Sequence, residues 1–257
     1  MSLRFRRTPS TPGNSGFTLV VVAALFIAFA VVAAVAVERN STLQLIGRRD
    51  RATAQLTRLS NAIIEYAVFN KNGNTLLYPC PARTDLATTD TNFGASVNAA
   101  GVQNCNTTNY AGVSVLGGST IIRGMVPIQT LSPYGLGLND AFDPWNNRIF
   151  YVVNRKLTKG ATPVVAVEQT NNPSVTDAKT AEAIPAPDFL LISPGRDGLG
   201  ATRRESTSVA IPCTDGTATL RFENCDNDTS FVISPTFTGA TATAATYFDD
   251  ILAFYRQ

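Results

Sequence analysis

Four cysteines, Cys80, Cys105, Cys213 and Cys225, are the most reactive side chains in this 257-residue chain, and it contains no histidine to activate them. Thiol and hydroxyl nucleophiles need a neighbouring base, so Ser–His and Cys–His catalysis are both excluded. Zinc fits poorly as well, because there is neither a Cys-x-x-Cys spacing nor an imidazole. An even cysteine count in two local pairs suits disulfides better. Three pairings are open, and the economical one joins Cys80 to Cys105 and Cys213 to Cys225 across loops rich in Asn, Thr and Gly. In an oxidising compartment each closure adds about 2–4 kcal/mol. Acidic residues number 19, including the loop Asp226-Asn227-Asp228, but nothing in the sequence places two carboxylates in one dry pocket. Neither a P-loop nor a dinucleotide fingerprint is present. The expectation is a protein without enzymatic activity.

The elements that would carry these loops change character along the chain. Ala52, Leu56, Leu59, Ile63 and Tyr66 recur at three- and four-residue steps, and Arg48, Arg49, Arg51 and Arg58 fall mostly elsewhere. That pattern predicts an amphipathic helix with one core-facing stripe, ending at the turn formers Asn70 to Asn74. Beyond Leu76, short β-prone runs alternate with Gly, Pro, Asn and Thr. Strands are expected at Ile121–Ile122, Arg148–Val153, Thr162–Val167, Phe189–Ile192, Ser208–Ile211 and Phe231–Ile233. Asp85 to Gly118 reads as a long polar loop tethered by Cys80–Cys105, and Ala166 to Pro187 as a second exposed loop.

Ahead of the amphipathic helix lies the strongest signal. Arg4, Arg6 and Arg7 sit in a leader ending at Gly16; Phe17 follows, then twenty residues without a charge. As a helix that run spans the roughly 30 Å hydrocarbon core of a bilayer. An ordinary secretory signal is cut after its apolar core, whereas cutting at Gly16 would leave the apolar helix at the mature N-terminus. Three other readings stay open. Ala34-Val35-Ala36 fits a signal peptidase site, Arg6-Arg7 a twin-arginine signal, and the whole run an uncleaved anchor. Every one exports the C-terminal bulk and leaves the basic leader in the cytoplasm. Without the three leader arginines, 18 of the 21 basic residues remain against 19 acidic ones, so no nucleic-acid partner is expected.

Gly16-Phe17-Thr18-Leu19 behind a basic leader resembles the processing motif of type IV pilins and type II secretion pseudopilins. That resemblance implies cleavage after Gly16 by a prepilin peptidase, methylation of Phe17, and packing of N-terminal helices into a filament core. The family usually carries Glu at the fifth mature position, and this chain has Val21 there. A buried charge is costly unless paired, so its loss removes both the cost and a registry device. The resemblance therefore implies a minor or atypical subunit. Tyr78-Pro79-Cys80-Pro81-Ala82, Gly124-Met125-Val126-Pro127, Gly135-Leu136-Gly137-Leu138 and Asp143-Pro144-Trp145-Asn146 follow in the order of some pseudopilin-like proteins. Pro144 fixes a turn, and Trp145 supplies an apolar anchor beneath it.

The implied fold is α+β and type IV pilin-like: a long N-terminal helix packed on a small antiparallel β-sheet head with long loops and disulfides. The implied divisions are a leader at 1–16, a transmembrane or filament-core helix at 17–37, an amphipathic helix at 38–70, and a β-rich periplasmic head at 71–257. Ser193-Pro194-Gly195-Arg196-Asp197-Gly198 resembles the calcium-binding turn of major pseudopilins, and Asp249-Asp250 matches the family's second acidic segment. Calcium at Asp197, Asp249 and Asp250 is thus implied, with an Asx turn satisfied by its own backbone as the simpler alternative. The implied partners are the peptidase, other pilin or pseudopilin subunits and the bacterial inner membrane. Alternatives are a tip-type module contacting a secreted substrate or a surface, and a membrane-anchored periplasmic protein of other function.

Overall fold

Apolar residues at helical spacing wind the chain into one helix, α1, from Ser15 to Phe69. The computed structural model describes residues 15–96, 105, 112–118, 120–158, 172–213, 223–233 and 249–256; the side chains of 15–19, 35–42 and 118 are outside that description. The chain divides into two compact units, Met1–Gly47 and Arg48–Gln257. In the first unit the described side chains of residues 20–34 are all exposed and include Phe26 and Phe29, each more than 70 % accessible. Among the described residues no helix is long and apolar enough to cross a membrane. The leader and the 17–37 expectation both extend over residues outside those described.

In the second unit α1 buries a stripe made of Ala52, Leu56, Leu59, Ala62, Ile63, Tyr66 and Ala67. The helix stops where Asn70 folds back, its backbone N–H and its side-chain amide both donating to the Tyr66 carbonyl, at 3.0 and 2.8 Å. The head is built on a five-stranded antiparallel sheet in the order β1-β2-β3-β6-β8. Its strands are β1 (Ser114–Val115), β2 (Ile121–Met125), β3 (Phe150–Asn154), β6 (Phe189–Ser193) and β8 (Ile251–Tyr255). A three-stranded sheet, β5-β4-β7, joins β4 (Ser174–Asp177) antiparallel to β5 (Ala183–Ile184) and parallel to β7 (Ser230–Ile233).

Strands β3 and β6 are buried along their whole length because both faces of the large sheet are covered. Ile122, Tyr151, Val153, Phe189 and Leu191 pack with the α1 stripe. On the opposite face Ile121, Phe150, Val152, Leu190 and Ile192 pack with Val175 and Phe231 of the small sheet. Continuous apolar strands are what two-sided burial requires, which is why these runs lack polar alternation.

The α+β fold, the antiparallel sheet and the helix end at Phe69 agree with the sequence expectations. Both disulfides form in the economical pairing, with Cα–Cα distances of 5.8 Å each. Several local expectations are corrected. The Ala166–Pro187 segment contains β4 and β5, and the Asp85–Gly118 segment contains β1. Ser208–Ile211 makes only isolated bridges, Val209 to Thr202 and Ile211 to Leu199. The 148–149 pair stays outside β3 because Arg148 and Ile149 bond Thr202 and Ala141 instead. Thr162–Val167 lies outside the described residues.

Candidate metal centre

Strand register creates the site. Antiparallel β6 and β8 pair Ser193 with Ile251, so the turn leaving β6 lies beside the residues entering β8. Asp197 on the turn and Asp249 and Asp250 ahead of β8 are thereby brought together, although about fifty residues separate them in sequence. Each offers a carboxylate oxygen, and these oxygens lie within 4.8 Å of one another. Asp249, buried, accepts from the backbone N–H groups of Arg196 (2.5 Å) and Asp197 (3.1 Å) through one oxygen. Asp197 in turn accepts from the Leu199 N–H at 3.1 Å, so the Asx turn is also present. The close approach requires glycine at 195. Its φ is +67°, and a Cβ there would sit 2.6 Å from the Asp249 Cγ and carbonyl oxygen.

Side chains behind the carboxylates hold them in place. Asn224, buried, donates to Asp250 at 3.1 Å and to the Val232 carbonyl at 3.0 Å, while its oxygen accepts from the Val232 N–H at 2.8 Å. One amide thus ties the site to β7. On the other side, the Asn147 side chain donates to the Gly195 carbonyl at 2.6 Å. Asn147 itself follows a turn organised by buried Asp143, which accepts from the backbone N–H groups of Trp145 and Asn147 and from the Ser193 hydroxyl. The Cys213–Cys225 disulfide closes the back of the turn. Gly200 has a φ of +70°, and a Cβ on it would meet the Cys225 Cβ at 2.7 Å.

The electrostatics follow from burial and crowding. Burial pushes the Asp250 carboxyl well above the usual carboxylate range, and the charges of Asp249, Asp197 and Asp143 add to it. Asp143 is pushed up to about 6 by burial, against the pull of the hydrogen bonds from Asn147, Ser193 and Trp145. Crowding of like charges favours the neutral form of Asp250, and a bound cation would relieve the same repulsion. Carboxylate and carbonyl oxygens are hard donors, the type that calcium takes in sets of six to eight. The three acidic residues expected from sequence are therefore brought to one place. The alternative acidic loop, Asp226 and Asp228, stays apart and makes its own turn bonds to Asp228 N–H and Ser230 N–H.

Gly16 and Phe17 both lie in α1, near its start, with the Phe17 side chain outside the described ones. Asn147 and Asn224 were not anticipated. Asp143-Pro144-Trp145-Asn146 signals a turn in which Asp143 bonds two residues on, to the Trp145 N–H, but the further bond to Asn147 has no such local rule. Nothing local marks Asn224, whose partners are Val232 on β7 and Asp250 ahead of β8. Set against protein-family models, curated proteins and solved structures, the chain matches none.

Proposed function

We propose that this chain is a structural subunit of a type II secretion pseudopilus or type IV pilus, processed between Gly16 and Phe17 and assembled through its N-terminal helix. The observation that carries the reading is α1 itself. A single helix, Ser15–Phe69, contains the Gly16-Phe17 motif and the uncharged run that follows it, and supplies in its head portion a core stripe for an antiparallel sheet. A helix apolar on every side is stable only in lipid or among other apolar helices, and residues 20–34 have that composition. The inner membrane holds the subunit before assembly, with the head in the periplasm, where the two disulfides form. The work is mechanical, and Val21 in place of Glu makes this an atypical or minor subunit.

Calcium belongs to the same reading. Asp197, Asp249 and Asp250 would hold it, supplying the positive charge that three converging carboxylates need and locking the β6 turn to the β8 entry. Mass analysis of the mature N-terminus tests the assignment. Methylated Phe17 is expected, Gly16→Ala is expected to block processing, and a chain starting near Val37 would refute it.

A further inference from the structure

We infer that an arginine-lined cleft on the head is an interface between copies of this chain, and that its occupant is the acidic loop Glu223–Asp228 of a neighbouring molecule. The inference rests on the reading of the chain as an assembling subunit. The cleft, about 540 Å³, opens between the first turns of α1 in the head and the 139–144 segment, with Arg48, Arg51, Gln55, Arg58, Asp140 and Phe142 among its lining. Its floor is fixed: Gln55 donates to the carbonyls of Asp140 (3.0 Å) and Phe142 (2.8 Å), and Arg58 pairs with Asp140. Arg204 stacks over the Phe142 ring at 4.9 Å and bonds Asn139, adding a further guanidinium at the rim.

The acids of the cleft are already engaged. Asp140 accepts from Arg58 and from the Gly137 N–H, and Asp143 is enclosed by its own turn. Arg48 and Arg51 stand exposed, with exposed Asp50 as the acidic neighbour on the same helix. Guanidinium groups arranged this way suit carboxylates, which they hold with paired N–H donors.

The same head carries the complementary charge. Glu223, Asp226 and Asp228 crowd one short loop. Partial burial, then Asp228 and Glu223, push Asp226 up to about 6, and burial and Asp228 raise Glu223. Placement decides who can meet whom. Arg123 anchors this loop by donating to the Asp226 and Cys225 carbonyls, and it lies over Phe150 on the sheet face that carries Val152 and Leu190. The α1 stripe packs on the opposite face, with Tyr151 and Leu191. Arg123 thus holds the loop on the sheet face opposite the α1 stripe, and among the described residues no ion pair joins the loop to Arg48, Arg51 or Arg204. A contact between unlike patches is heterologous and propagates from copy to copy.

The test uses the full mature chain in detergent micelles, followed by sedimentation velocity over a concentration series at low and high salt. R48E with R51E, or D226R with D228R, is expected to weaken self-association by about tenfold or more at low salt. Combining all four reversals is expected to restore it to within about threefold, because the charges are exchanged and not lost. As a check independent of charge reversal, R51K supplies an amine for zero-length carbodiimide cross-linking, and an intermolecular link to Asp226 or Asp228 is expected. Self-association that ignores both reversals, is missing in the native chain, or fails to return in the combined variant while each head melts normally would overturn the interface. N-terminal mass analysis of the same samples separates the two failures. Methylated Phe17 with charge-insensitive assembly sinks the interface alone, and a start near Val37 sinks the filament reading.

Discussion

Gly195→Ala is the sharpest single perturbation of the candidate centre. At φ +67° an L-residue costs about 1–2 kcal/mol in backbone strain. The added Cβ would also lie 2.6 Å from the Asp249 Cγ and carbonyl oxygen and 2.7 Å from Oδ2, well inside contact distance. Those atoms belong to the chain entering β8, so relief means moving Asp249 off the Arg196 and Asp197 N–H groups. Overpacking of this kind costs about 1–3 kcal/mol. Together the two amount to about 2–5 kcal/mol, which for a unit of this size lowers Tm by about 4–20 °C. Gly73→Ala is the matched control. Its φ is +60° and no atom lies within 4 Å of the added Cβ, so only the strain of about 1–2 kcal/mol remains. The assay is thermal unfolding by near-ultraviolet circular dichroism, with calcium and with a chelator. Native protein is expected to gain about 2.7 kcal/mol with calcium at 100 times its Kd, and the Gly195 variant to gain far less. A Gly195 variant that melts with the Gly73 variant, and responds to calcium like native protein, would refute the reasoning.

Replacing both Cys213 and Cys225 by Ser is expected to lower stability by about 2–4 kcal/mol in chemical denaturation and to reduce the calcium response, because Gly200 packs on Cys225. Leu59→Ala removes a fully buried side chain from the α1 stripe and is expected to cost about 2–5 kcal/mol, whereas exposed Thr57→Ala is expected to stay within about 0.5 kcal/mol. In calcium-free buffer the head is expected to lose stability as pH rises from about 4 to about 6. Asp143 and Asp226 keep their protons to about 6 when folded and release them near 3.8 when unfolded, so the folded state binds more protons across that window. Urea melts at stepped pH check this. Asp226→Asn should flatten part of the slope, and stability that instead rises through the window would show that neither carboxyl is raised.

The sequence alone determined the elements whose signals are local. Leu56, Leu59 and Ile63 repeat at helical spacing whatever they pack against, so α1 and its end near Asn70 are legible in one dimension. The same holds for β3 and β6, whose unbroken apolar runs follow from burial on both faces, and for the disulfides, which join neighbours in sequence. Short polar strands escaped. β4 carries Ser, Thr and Asp, and its partner β7 lies more than fifty residues away, so its pairing has no local signature. The β6–β8 register is equally non-local, and it alone sets Asp197 beside Asp249 and Asp250. Sequence could name those aspartates as candidates, but the distance between them, and the buttresses Asn147 and Asn224, belong to the tertiary structure. A side chain's type is written in the chain; its neighbours are decided by which strands find each other, because that choice depends on the burial of the whole sheet.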